Sequence, residues 1–185
     1  MIHHLTSGSH DLNLGKAIND TVKHLPDNDW ICVRDIDTMP AYHEKYYKLC
    51  HELIKSDYGL IGCMTNRIGL MWQLHGGAYS QDTNWLNHRK IGKDLFYKHK
   101  NKIIPLKGVE SVAGMFMLFP KKVWLDVGGF IEGHIRHKGS FVDWWFSEAV
   151  KEKGYKLGIA QGLYMIHQYR PDHINPRCRT EHLEK

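Results

Sequence analysis

The run Trp30-Ile31-Cys32-Val33-Arg34-Asp35-Ile36-Asp37 constrains the fold more than any other part of this chain. An apolar stretch that stops at Asp-x-Asp reads as a buried strand delivering two carboxylates at its carboxyl end. Open α/β sheets bind their ligands at that end, and carboxylate oxygens suit Mg²⁺ or Mn²⁺. Such cations accompany diphosphates, so the motif points to an enzyme acting on a nucleotide or phosphate ester. Taken alone, Asp-x-Asp also occurs in ordinary surface loops.

Around this strand the pattern alternates. Residues 2–6 read as a first short strand. Apolar residues at 14, 17, 18, 22 and 25 have helical spacing, with Asp11 or Asn13 as cap and residues 26–29 as the stop. Residues 41–55 read as a second helix, and Tyr58–Met64 as a second buried strand leading into Asn66 and Arg67. From Gly76 to about Lys102 the periodicity weakens, which predicts an irregular, mobile excursion with a short helix near 86–99. Val109–Phe119 is an apolar run, followed by a helical turn with Pro120 at its first position and a Gly128-Gly129-Phe130 turn. Residues 142–153 form an amphipathic helix ended by Gly154, and Leu157–Ile166 supplies one or two last strands. Strands alternating with helices predict an α/β sheet. The expected organisation is one domain over residues 1–170 and a peripheral tail over 171–185.

Composition narrows the class. No run of 18 apolar residues exists, so no transmembrane segment is expected. The first residues lack the apolar core of a signal peptide. Cys32, Cys50, Cys63 and Cys178 form no C-x-x-C pair, and Cys32 and Cys63, inside apolar strand-like runs, read as buried, reduced thiols, which predicts a cytoplasmic protein. A net charge of +5 suits an anionic ligand such as a nucleotide diphosphate, and the dispersed basic residues carry no nucleic-acid motif.

The order of four segments resembles a GT-A-type glycosyltransferase of the family 2-like kind. Gly15-Lys16-Ala17-Ile18-Asn19 resembles the helix before the metal-binding strand, and Trp30–Asp37 the strand ending in the family's Asp-x-Asp. Ala113–Phe130 is the closest match, a small-residue strand followed by a helical turn and Val127-Gly128-Gly129-Phe130. Val142-Asp143-Trp144-Trp145-Phe146, then Gly154-Tyr155, resembles the family's acidic segment and following helix. The likeness spans roughly residues 12–170. It implies a single GT-A-like, Rossmann-like domain with a mixed, mostly parallel central sheet flanked by helices. Asp-x-Asp arrives only 35 residues in, so the N-terminal strands that bind the base in the family are reduced. The base is then held differently, a second copy or partner chain completes the nucleotide site, or transfer has been lost.

The resemblance also implies roles. Asp37 would ligate Mn²⁺ or Mg²⁺ directly, Asp35 would bind metal or ribose, and His167 would be a late third ligand. Asp143 matches the catalytic base of inverting members, although Val142 stands where the family often has Glu; its position also fits a helix cap, and Glu148 is the fallback base. Trp144 and Trp145 would line the site of a glycan or other hydroxyl acceptor, with at least one of them in the core because adjacent helical residues diverge. Lys16, Asn19, Arg67, Gly128 and Gly129 would face a UDP- or GDP-sugar donor; an exposed helix face, a surface salt bridge and an ordinary turn are their alternatives. The 76–102 excursion, with His75, Trp85, His88, Arg89 and Lys90, would be a closing loop or disordered. Two other readings stay open: a truncated glycosyltransferase-like domain that binds carbohydrate or a partner without turnover, and a haloacid-dehalogenase-type phosphatase with Asp35 as nucleophile.

Overall fold

The computed structural model describes residues 1–8, 12–80, 82–133 and 141–168. The tail expected over 171–185, the cap candidate Asp11 and Cys178 lie outside the described residues. The chain runs β1 (Ile2–Ser7), α1 (Leu14–Val22), β2 (Trp30–Asp35), β3 (Thr38–Pro40), α2 (His43–Leu53), β4 (Tyr58–Thr65), α3 (Trp85–His99), β5 (Ile103–Pro105), β6 (Phe116–Pro120), α4 (Lys121–Val127), α5 (Val142–Glu152) and β7 (Lys156–His167). Short 3₁₀ turns, Met71–Gln73 and His75–Gly77, lie between β4 and α3.

Among the described residues, seven strands form one open mixed sheet in the order β1-β2-β6-β4-β7-β3, with β5 pairing on β7. The expectation of a mostly parallel sheet is corrected. Of these strand pairs, only β1/β2 and β4/β7 are parallel, whereas β2/β6, β4/β6, β3/β7 and β5/β7 are antiparallel. The cause is β6, which inserts between β2 and β4 in the opposite direction. As a result β1, β2, β4 and β7 still point the same way, and their carboxyl ends share one edge.

Both faces of the sheet are covered, as the near-continuous apolar strands require. Along β2 and β6 the side chains alternate. Ile31, Val33, Met117 and Phe119 enter a core with Ile18, Val22, Phe130, Phe146 and Val150 from α1, α5 and the turn after α4. Cys32, Phe116 and Leu118 enter a second core with Tyr46, Leu49, Cys50, Leu53 and Phe96 from α2 and α3. Phe130 and Phe146 stack with centroids 4.1 Å apart, and Phe119 meets Phe146 at 5.0 Å. Each such pair contributes about 0.5–1.5 kcal/mol beyond area burial. Cys32 and Cys63 are buried and free, as expected, and so is Cys50; burial pushes the Cys32 thiol up to about 12. No helix among the described residues is long and apolar enough to cross a membrane.

The 76–102 segment bears out the helix expected near 86–99, and more of it is regular than its weak periodicity suggested. It holds a regular 15-residue helix, capped by Asn84, whose side chain accepts the Leu86 N–H at 2.9 Å. Its buried positions are His88, Gly92 and Phe96, four residues apart. A histidine and a glycine fill two places where aliphatic residues would have given a stronger helical periodicity. His88 donates from Nε2 to the Asp82 carbonyl at 2.7 Å and accepts the Tyr164 hydroxyl at Nδ1, 2.9 Å. A Cβ at Gly92 would come within 2.9 Å of the Ala41 Cβ, so glycine lets α3 approach the start of α2.

The Val109–Phe119 run is likewise only partly a strand, because β6 begins at Phe116. Ahead of it, three successive backbone donors are satisfied by side chains. The N–H groups of Val112, Ala113 and Gly114 donate to Ser147 Oγ (3.0 Å), Gln73 Oε1 (2.8 Å) and Asp143 Oδ2 (2.8 Å). Buried donors need partners of some kind, and here side chains take the place of a neighbouring strand.

Candidate metal centre

Asp35 ends β2. Its N–H donates to the Met115 carbonyl at 3.3 Å, and its own carbonyl accepts the Thr38 hydroxyl at 2.8 Å. The Thr38 hydroxyl also lies 3.2 Å from the Met115 carbonyl. Residues 35–38 therefore make a short bridge over the start of β6. That bridge matters because β2 and β3 are not neighbours: β6, β4 and β7 stand between them in the sheet. β3 pairs with the far side of β7, Thr38 opposite His167, which sets Asp37 beside the end of β7.

There the candidate ligands meet. One ligand atom from each of Asp35, Asp37 and His167 lies within 4.8 Å of the others. His167 Nε2 is 3.2 Å from Asp37 Oδ2, and the two side chains are 21% and 10% exposed. His167 Nδ1 is 2.9 Å from the Arg67 carbonyl, a bond the ring can make only as a donor. That fixes Nε2 as the atom facing the carboxylates. Burial alone would lower the pKa of His167, but Asp37, the Arg67 carbonyl and Asp35 outweigh it and hold the imidazole above its ordinary value. Two carboxylates and an imidazole with its outer nitrogen committed to a carbonyl are a donor set that fits a divalent cation.

Asp143 is next to this group. It is the second residue of α5, whose cap position is held by Phe141, so the helix-cap alternative is corrected. Its Oδ2 accepts from Gly114 and its Oδ1 from the Trp144 N–H at 2.9 Å. Burial pushes its carboxyl above the ordinary carboxylate range; the two N–H groups oppose the shift and the Asp35 charge adds to it. A Cβ on Gly114 would sit 3.3 Å from the Asp143 Cβ, so a glycine there gives the carboxyl its seat. Glu148, the fallback base, pairs with Lys151 at 2.5 Å.

Trp144 and Trp145 correct an expectation. Neither is core: they are 39% and 41% exposed, and their rings meet nearly edge to face at 4.6 Å. The buried face of α5 is taken by Val142, Phe146, Ser147 and Val150.

The remaining candidates are held elsewhere. Lys16 pairs with Asp20 along the exposed side of α1. The Asn19 amide bridges several groups: Oδ1 accepts from Trp124 Nε1 (2.9 Å) and the Phe130 N–H (2.8 Å), while Nδ2 donates to the Phe130 carbonyl (2.8 Å) and Glu132 (3.0 Å). Gly128 and Gly129 have φ of 81° and 83° and close α4 through bonds to Leu125 and Trp124. Arg67 is the second residue past β4 and is half-buried. In and just before the 76–102 segment, Arg89 pairs with Glu44 of α2, His75 lies against the Tyr164 ring, Trp85 is exposed and Lys90 lies at the surface.

Sequence reasoning assigned no role to Thr38, Gln73 or Ser147, and placed Asn66 only as an edge residue. All four are buried and polar. A lone polar residue inside an apolar stretch, such as Gln73 between Trp72 and Leu74, was the signal that could have found them. Comparison with protein-family models and with curated proteins gives no match for this chain.

Proposed function

We propose that the chain is a metal-dependent glycosyltransferase of GT-A type, moving a sugar from a UDP- or GDP-sugar to an acceptor hydroxyl with inversion, in the cytoplasm. The observation that carries this reading is the convergence of Asp35, Asp37 and His167 beside Asp143, at the edge where β2, β4 and β7 end. Asp35, Asp37 and His167 would hold the cation, and the imidazole favours Mn²⁺ over Mg²⁺. A bound cation supplies charge neutralisation for a departing nucleotide diphosphate.

The chain's own groups account for the rest. Asp143, with its raised pKa, takes the proton of the acceptor hydroxyl as that oxygen attacks the anomeric carbon. Trp144 and Trp145 offer exposed aromatic faces beside that base for the apolar face of an acceptor sugar. Arg67 is assigned to the diphosphate. Asn19, Gly128 and Gly129 shape the turn after α4, and Lys16 is assigned to the surface of α1.

Calorimetric titration of UDP and GDP, with and without Mn²⁺, tests the proposal. Binding that requires Mn²⁺ and disappears in Asp37→Ala supports it. Nucleotide binding that ignores both the metal and the substitution overturns it.

A further inference from the structure

The side chain that holds His167 in place is Asn66, the first residue past β4. The parallel β4–β7 ladder ends at Thr65 opposite Met165. His167 lies two residues further on, where β4 no longer supplies a backbone partner. Asn66 fills that gap with its amide. Its Oδ1 accepts the His167 N–H at 2.8 Å, and its Nδ2 donates to the His167 carbonyl at 3.3 Å. Both bonds go to one residue, so the amide stands in for a peptide unit of the strand that has ended. Asn66 is 3% exposed. It is itself held, because Oδ1 also accepts the Thr65 hydroxyl at 3.2 Å and its backbone carbonyl accepts the Ser80 N–H at 2.9 Å.

The next residue completes the device. The Arg67 carbonyl takes the His167 ring at Nδ1, so adjacent residues fix the backbone and the ring of the same histidine. On the other side, Thr38 pairs with His167 across β3 and β7 and also tethers Asp35. Groups that orient a ligating histidine govern metal affinity almost as strongly as the ligands do.

We propose that Asn66 is a positioning residue for metal binding: its amide extends the β4–β7 pairing to His167 and so aims the imidazole Nε2 at the space between Asp35 and Asp37. This rests on the reading of Asp35, Asp37 and His167 as cation ligands.

The test uses the full chain and Mn²⁺ alone. Pulsed electron paramagnetic resonance reads imidazole-nitrogen coupling to the bound ion, calorimetry reads affinity, and thermal melting reads the fold. Asn66→Ala should weaken Mn²⁺ binding by about 10–100-fold and remove or reduce the nitrogen coupling. Gln73→Ala is the comparison: Gln73 is fully buried and bridges the Cys63 carbonyl and the Ala113 N–H, not His167. It should lower the melting temperature while keeping affinity and coupling. If Asn66→Ala does not fold, Asn66→Ser, whose hydroxyl cannot span both backbone groups, carries the same expectation. Wild-type affinity and coupling in the folded Asn66 variant would overturn the proposal and leave the metal reading standing. Mn²⁺ bound by the wild type without nitrogen coupling would remove His167 as a ligand and overturn both.

Discussion

His167 faces Asp37 across 3.2 Å through Nε2 while its Nδ1 donates to the Arg67 carbonyl. With Nδ1 already carrying a proton, the contact with Asp37 is favourable only when Nε2 is protonated too, which is why the pKa of the ring is raised. A cation entering between these groups must displace that proton. Mn²⁺ affinity should therefore rise with pH, by about tenfold per unit below the raised His167 pKa, and level off above it. The sign for the metal-free protein is opposite. A raised folded pKa gives stability that is complete below the unfolded value of about 6.5 and is lost as pH rises through the folded value. Melting curves should thus show a Mn²⁺-induced stabilisation that grows with pH across this range. A shift that is constant with pH would exclude proton displacement at His167.

Asp143 has a structural task as well as the proposed chemical one. Both of its oxygens accept backbone N–H groups, from Gly114 and Trp144. An asparagine in its place would have one carbonyl oxygen for these two donors. Asp143→Asn should then cost about 1–3 kcal/mol in urea unfolding. In the folded fraction it should lower kcat for transfer by about 10²–10⁴-fold with Mn²⁺-dependent UDP or GDP binding unchanged. Retained kcat would remove Asp143 as the base.

Trp144 and Trp145 are exposed by about two fifths, so truncating either should change stability by no more than about 0.5 kcal/mol. Trp144→Ala and Trp145→Ala should instead raise the KM for a glycan acceptor. A roughly tenfold rise matches one lost aromatic contact of about 1.4 kcal/mol. Donor binding should be unaffected. An unchanged acceptor KM in both variants would separate the tryptophans from the acceptor.

Asn19 bridges α1 to α4 and the segment after it through Trp124, Phe130 and Glu132. Asn19→Ala leaves the Phe130 N–H and carbonyl without those partners, and should destabilise the fold by about 2–3 kcal/mol in urea titration. Mn²⁺–nucleotide affinity of the folded protein should stay at the wild-type value. A stable variant with weakened nucleotide binding would instead make Asn19 a donor contact.

Local pattern reached the elements more reliably than their arrangement. Continuous apolar runs announced β2, β4 and β7, and helical spacing announced α1, α2 and α5, because burial imposes those periods on the residues themselves. The helix expected near 86–99 is present as α3, but its periodicity was weak because its buried stripe is His88-Gly92-Phe96, whose fit depends on Tyr164, Asp82 and Ala41 and not on hydrophobicity. The segment before β6 looked like strand because it is apolar. Its backbone partners, Gln73, Asp143 and Ser147, are far away in sequence. Strand direction was equally hidden, since nothing local to β6 reveals that it enters between β2 and β4 reversed.

By itself, the sequence determined that an apolar strand ends in Asp35 and Asp37, that a last strand ends in His167, and that Asp143 opens an amphipathic helix. These follow from composition over a few consecutive residues. Only the tertiary structure decided that the three ligand candidates meet. Their meeting depends on the 35–38 bridge carrying the chain over β6 to the far side of β7, and on Asn66 replacing the backbone that β4 no longer provides. The physical reason is that a strand's character is set by the burial of its own side chains, whereas the convergence of its end with another is set by hydrogen bonds, from the backbone and from side chains such as Asn66 and Thr38, between residues far apart in sequence, which no local pattern reveals.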